Sequence, residues 1–205
     1  MAKKGETTRE GIMDAAEGLV LNQGFSATSV DAVIAAAGIT KGTFFYHFKA
    51  KADLADALLA RYAMRDAGHL DGNLARAEQL SRDPLQQILI LVGLFIEELE
   101  GLTEPFPGCL YASYCYEAGL FEEDTVGRIE GALDYWRIKM RPKFEAAMAA
   151  HPPRFAVRAD ELTDMLLGLF EGAFILSRTY KDPGLVAAQL RHYRNYIELL
   201  FAGAQ

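Results

Sequence analysis

The chain has 205 residues, 51% of them hydrophobic and 24% charged, which is ordinary globular composition and enough sequence for one large domain or two smaller ones. No apolar run reaches the roughly 18 residues of a membrane-spanning helix, and the polar start Met1-Ala2-Lys3-Lys4-Gly5-Glu6 does not read as a signal peptide. Two cysteines, Cys109 and Cys115, cannot build a disulfide framework, so a cytoplasmic protein with reduced thiols is expected.

The net charge of −7 argues against a nucleic-acid partner until it is divided along the chain. Residues 1–66 hold eight Lys or Arg and eight Asp or Glu, so the remainder carries the whole deficit. Phosphate repels the second part and tolerates the first. Within the first, residues 33–52 hold three lysines and no acid.

Nearly every segment has helical spacing, and sustained alternating β-branched runs are absent. Over 8–21 the apolar residues Ile12, Ala15, Ala16, Leu19 and Val20 recur at three and four residues. Gly24 stands where a C′ residue would, and Phe25 is placed to cover the helix end. Thr28 and Ser29 are N-cap candidates for a short alanine-rich helix over 30–37, whose first turn holds Asp31. Gly38 ends it, Ile39 follows as a core anchor, and Thr40 caps a second short helix through Thr43, Phe44, Phe45 and Tyr46. A longer helix over 52–66 puts Leu54, Leu58, Leu59 and Tyr62 on one side, and 68–72, with a glycine at each end, reads as a break. Beyond it come a helix over 84–100 opened by Pro84, a loop over 103–108, and a helix over 109–118 with Gly119 near its end. A long helix over 122–150 is interrupted or kinked near Pro142 and stopped by His151-Pro152-Pro153. Helices over 159–180 and 183–201 complete an all-α chain.

The stretch 28–48 carries the most chemistry. Two short helices joined by a tight turn at Gly38-Ile39-Thr40 let the second enter a DNA major groove while the first braces it. Lys41 can neutralise a phosphate, Gly42 lets the backbone come close, and Thr43, Tyr46 and His47 can reach phosphates or base edges. Phe44 and Phe48 are spaced to pack inward. Lys49 and Lys51 flank the next helix start, where backbone N–H groups also attract phosphate.

Ile12-Met-Asp-Ala-Ala-Glu-Gly-Leu, Gly24-Phe, Thr28-Ser-Val, Ala35-Ala-Ala-Gly-Ile-Thr-Lys-Gly-Thr and Phe48-Lys-Ala-Lys-Ala-Asp-Leu54 resemble, in order and spacing, the N-terminal signature of the TetR/AcrR family of transcriptional regulators. The resemblance covers about residues 8–59. It implies a three-helix helix-turn-helix head over 6–66, with its motif at about 29–48, and a larger helical ligand-binding and dimerisation body over 67–205. It further implies a homodimeric regulator, usually a repressor, released from double-stranded operator DNA by a small-molecule effector. The family's DNA contacts carry over to Thr28, Ser29, Lys41, Gly42, Thr43, Phe45, Tyr46, His47 and Lys51. One departure is Phe44-Phe45 where the family usually has Leu-Tyr; Phe45 lacks the hydroxyl that would donate to phosphate and is left with van der Waals contact.

In the body, Phe95, Tyr111, Tyr114, Cys115, Trp136, Met140, Phe170, Phe174 and Arg178 are candidates for a cavity that takes an apolar or aromatic ligand, although aromatic stripes at helical spacing more often form core. Cys109, at an expected helix N-terminus, is a candidate sensor thiol for electrophiles or oxidants; a small buried residue filling space is the simpler reading. The last two helices carry broad apolar faces, with Gly168 and Gly172 four apart, and suit a four-helix dimer interface. No nucleophile–base arrangement, metal motif or phosphate loop is present in the sequence, the histidines His47, His69, His151 and His192 are scattered, and no enzyme activity, metal or cofactor is expected. A rival reading is a helical ligand-binding module that does not bind DNA.

Overall fold

The computed structural model describes residues 2–117, 119, 121 and 123–203. Among these there are nine helices and no strand: α1 Ala2–Gln23, α2 Val30–Ala37, α3 Lys41–His47, α4 Lys51–Leu80, α5 Pro84–Glu100, α6 Leu110–Tyr116, α7 Glu123–Ala150, α8 Ala159–Tyr180 and α9 Leu185–Phe201. The all-α class read from the spacing is what the chain adopts. None of the helices is long and apolar enough to cross a membrane, within the described residues.

Local chemistry sets the ends of the short helices. Gly24 closes α1 at φ +86°, a left-handed conformation that favours glycine, and its N–H donates to the Val20 carbonyl at 2.8 Å. The Ser29 hydroxyl accepts from the Ala32 N–H at 3.0 Å and starts α2. Gly38, at φ +64°, ends it: the Gly38 N–H reaches the Ala35 carbonyl and the Ile39 N–H the Ile34 carbonyl, both at 3.2 Å, as in a Schellman turn. The Thr40 hydroxyl then accepts from the Thr43 N–H at 3.2 Å, so α3 begins two residues after α2 has stopped.

The expected break at 68–72 does not occur. The helix runs unbroken from Lys51 to Leu80 through Gly68 and Gly72. Each glycine costs about 1 kcal/mol of helix propensity, but Leu70, Leu74 and Ala77 on the same helix are buried at 0%, 8% and 0% exposure, and their packing outweighs that cost. Three other helices also differ from their expected course. α1 starts earlier than the apolar pattern, α7 runs through Pro142 without interruption, and α9 opens after Pro183, where the Gly184 N–H is held by the Asp182 carboxylate at 2.9 Å. The helix expected over 109–118 has Cys109 as its N-cap and stops at Tyr116; Ala118 and Glu122 lie outside the described residues.

The chain forms two compact units, Met1–Arg65 with Cys109–Gly131, and Asp66–Gly108 with Ala132–Gln205. Two of the three boundaries fall inside α4 and α7, and the third lies just before α6. Unit 1 buries Ile12, Met13, Ala16 and Val20 of α1, Val33 of α2, Phe44 of α3 with the adjoining Phe48, and Leu54, Leu58 and Leu59 of α4. Arg61 ties α1 to α4, with its guanidinium on Glu10 at 3.0 Å, Asp14 at 2.7 Å and Glu17 at 2.7 Å, three acids spaced on one face of α1. Unit 2 has one apolar core drawn from the second half of α4 and from α5, α7, α8 and α9, including Leu91, Met140, Phe144, Leu166 and Leu190. The Tyr193 hydroxyl, buried in it, donates to the Leu162 carbonyl at 2.8 Å.

Candidate nucleic-acid interface

α2, the Gly38 turn and α3 present a small reading surface. Phe44 and Phe48 are buried with ring centroids 5.9 Å apart, which fixes the inner side of α3. The outer side is left to Lys41, Gly42, Phe45 and Tyr46, all exposed, with Thr43 and His47 half-buried. Tyr46 is 76% exposed, and its ring meets His47 edge-on at 5.0 Å. Phe45 is 38% exposed and leans edge-on against Phe44 at 5.3 Å, so it offers an apolar face only. Ser29 is exposed beside them, although its hydroxyl already caps α2.

Two of the sequence candidates are placed differently. Thr28 is 2% exposed and its hydroxyl donates to the Gly24 carbonyl at 2.7 Å. The Lys51 ammonium donates to the Phe25 carbonyl at 2.6 Å and lies 4.0 Å from the centre of the Phe25 ring, a cation–π contact. Burial lowers the Lys51 pKa below the ordinary lysine value, against the opposing charge of Glu117. Both side chains brace the turn between α1 and α2. The start of α4 is capped: the Asp53 carboxylate accepts the Lys49 N–H at 2.8 Å and the Ala50 N–H at 3.0 Å. Lys49 donates from its ammonium to the Phe45 carbonyl at 3.2 Å.

The acids that make residues 1–66 neutral are largely committed. Glu10, Asp14 and Glu17 are held by Arg61, with Arg65 also on Glu17. Asp53 caps α4, and Asp56 accepts from the Thr125 hydroxyl at 2.8 Å. Local placement of charge, rather than the sum, therefore decides what the head offers to DNA.

The turn between α1 and α2 is gripped by a residue far away in sequence. The Phe25 and Ser26 N–H groups each donate at 2.8 Å to a different oxygen of the Glu117 carboxylate, and the Ser26 hydroxyl donates to it as well. Burial pushes the Glu117 pKa up, but the Ser26 and Phe25 donors and the nearby Lys51 charge together hold it below the ordinary glutamate value. The Phe25 ring packs on Phe121 at 4.9 Å and Tyr114 at 5.6 Å, and Tyr114 stacks on Phe121 at 4.5 Å. The Tyr114 hydroxyl donates to the Ala55 carbonyl at 2.9 Å, and burial raises its pKa far above the usual range, keeping it a neutral donor. These ties are why Cys109–Gly131 falls with the N-terminal helices.

The ligand candidates are divided between the units. Tyr111, Tyr114 and Cys115 lie in unit 1, where Tyr111 meets Tyr62 edge-on at 4.9 Å and Cys115 is exposed. Cys109, also in unit 1, is 8% exposed. Phe95, Trp136, Met140, Phe170, Phe174 and Arg178 lie in unit 2. There Phe95 touches Phe170 at 5.7 Å and Trp136 at 5.8 Å, Phe170 touches Phe174 at 5.9 Å, and Phe106 stacks on Phe174 at 4.8 Å. Met140 is wholly buried in the core, and Arg178 donates to the Pro107 carbonyl at 2.9 Å. Polar groups on α4 and α5 border this cluster. Asp66 accepts from the Trp136 indole at 2.9 Å, His69 meets Glu98 at 2.7 Å, and the Asn73 amide donates to Glu98 at 3.1 Å. Asp66, His69 and Asn73 share one helix face by spacing, a signal hidden by the supposed break at 68–72.

Two short helices joined by a tight turn, the second with an exposed outer face, form a helix-turn-helix arrangement. Comparison with known proteins agrees. The sequence model for "Bacterial regulatory proteins, tetR family" matches residues 12–58. The chain is 26% identical over 168 residues to the transcriptional regulator AcuR of Cereibacter sphaeroides, covering 78% of this chain and 72% of that one. Over a shorter stretch of 52 residues it is 42% identical to the HTH-type transcriptional regulator AcrR of Shigella flexneri, covering 25% and 24% of the two chains. A TetR-family regulator from Agrobacterium tumefaciens shares the fold at a TM-score of 0.76 and 19% identity, over 94% of this chain and 98% of that one. Residues 12–58 thus match the TetR family's N-terminal model, and over most of its length the chain is similar to TetR-family transcriptional regulators.

Proposed function

We propose that this regulator is a homodimeric repressor of the bacterial cytoplasm, which reads its operator with α3 and is released by a small apolar or aromatic effector. The observation that carries the reading is the outer face of α3, where Lys41, Gly42, Phe45 and Tyr46 stand exposed on a helix anchored by Phe44 and Phe48. In this reading Lys41 and Tyr46 are the principal contacts, with Ser29, Gly42, Thr43 and His47 beside them and Phe45 in apolar contact. Thr28 and Lys51 act by bracing the turn. The head at 6–66 binds DNA and the body at 67–205 receives the effector. Support for an apolar or aromatic effector comes from the Phe95, Trp136, Phe170 and Phe174 cluster with its Asp66, His69, Asn73 and Glu98 border.

The test is a Lys41→Ala, Tyr46→Ala double variant assayed on genomic fragments that the wild-type chain selects. It keeps its circular dichroism and melting curve and loses fragment binding in a gel shift at physiological salt. Unchanged affinity overturns the assignment of α3, and failure of the wild type to select any fragment points instead to a ligand-binding module.

A further inference from the structure

We infer that Glu117 is a positioning residue for DNA reading: its carboxylate holds the turn between α1 and α2 and thereby sets where α2 and α3 stand, without touching DNA. The inference rests on the DNA-binding reading of the family and adds to it a residue outside the helix-turn-helix.

The turn begins at Gly24, where α1 has ended, and finishes at Ser29, which caps α2. The Phe25 and Ser26 N–H groups sit beyond the α1 end, and both converge with the Ser26 hydroxyl on the Glu117 carboxylate. The other polar ties come from the head itself: the Thr28 hydroxyl and N–H go to the Gly24 and Phe25 carbonyls, and Lys51 donates to the Phe25 carbonyl. Glu117 supplies the anionic tie, from the C-cap of α6 and more than 90 residues away in sequence. A charge-assisted bond from each of three donors is stronger than the neutral turn bonds around it.

Gly24 gives a second line of argument. A Cβ built there would stand 2.7 Å from a Glu117 carboxylate oxygen, so the carboxylate would have to leave its place on the turn. The glycine thus serves two demands at once, a positive φ and room for this carboxylate. Nothing comparable surrounds Gly38, where a Cβ would meet no atom within 4 Å.

The charge makes the proposal testable by sign. If Glu117 were merely an acid on a DNA-binding unit, removing it would reduce repulsion of phosphate and tighten binding. A positioning role predicts the opposite. The full-length chain carrying Glu117→Ala or Glu117→Gln is titrated against genomic fragments that the wild type selects, over a range of salt. Asp124→Asn serves as control, because Asp124 is exposed in the same unit and does not touch the turn. The expected result is a loss of about tenfold in affinity for Glu117→Ala and a smaller loss for Glu117→Gln. The dependence of log K on log salt stays at the wild-type slope, since no phosphate contact is removed. The Phe25 and Ser26 amides exchange faster with solvent in both variants, while the melting temperature of Glu117→Gln stays near that of the wild type. Affinity equal to or tighter than wild type in a folded Glu117→Gln, matching Asp124→Asn, overturns the proposal, as does a loss accompanied by a shallower salt slope. Should Glu117→Ala fail to fold, Glu117→Gln decides. A wild-type chain that selects no fragment defeats the DNA-binding reading itself, and that outcome is visible before any variant is made.

Discussion

Lys41 and Lys51 carry the same charge in the same unit, yet one ammonium stands exposed on α3 and the other lies over the Phe25 ring. Only a lysine that meets phosphate releases a counterion on binding. Replacing Lys41 with Ala is therefore expected to weaken binding across all sequences and to reduce the salt slope by about 1. Lys51→Met keeps an apolar stem on Phe25 but removes the donor to its carbonyl. It should weaken binding through the turn, with the slope unchanged. Salt titrations of the two variants side by side check this; equal reductions in slope would show that Lys51 also reaches phosphate. The sequence displayed both lysines at helix starts and could not tell them apart, because the difference lies in where Phe25 sits. Phe25 in turn owes its place to Phe121 and Tyr114, far along the chain.

At the scale of elements, the short helices were legible because their ends are written in local chemistry. Ser29, Gly38 and Thr40 cap or terminate α2 and α3 with residues whose preferences need no tertiary help. The long helix α4 was not legible across Gly68 and Gly72, since what carries it through is burial of Leu70, Leu74 and Ala77 against partners distant in sequence. The same blindness hid Asp66, His69 and Asn73 as neighbours, and Glu117 as a grip on the turn. Gly24 and Gly38 show how a local signal can have two strengths. Gly38→Ala forces an alanine into the left-handed region at a cost of about 1 to 2 kcal/mol. Gly24→Ala meets the same backbone penalty and also drives a methyl group into the Glu117 carboxylate. It should therefore destabilise more, as read from the midpoints of urea unfolding curves. A Gly24→Ala variant no less stable than Gly38→Ala would mean that the carboxylate swings away without loss.

At the scale of the whole molecule, α8 and α9 leave apolar side chains uncovered: Met165, Ile175 and Leu176 on one helix are 41%, 54% and 40% exposed, and Leu199 on the other is 63% exposed. A Cβ added at Gly168 or Gly172 on α8 would meet nothing within 4 Å, so another surface can come close there. These features support a homodimer through the last two helices. Sedimentation is expected to give twice the chain mass, and Ile175→Glu with Leu199→Glu is expected to give the monomer; a doubly substituted chain that stays dimeric would place the interface elsewhere. One further consequence follows from the way the N-terminal unit spends its charge. Arg61, Arg65 and Lys51 are turned to internal partners, and the start of α4 already holds the Asp53 carboxylate. Attraction to arbitrary DNA comes almost wholly from uncommitted cations, and these three are not among them. Brief residence on unrelated sequence is therefore expected, and dissociation rates from DNA that the chain does not select would check it.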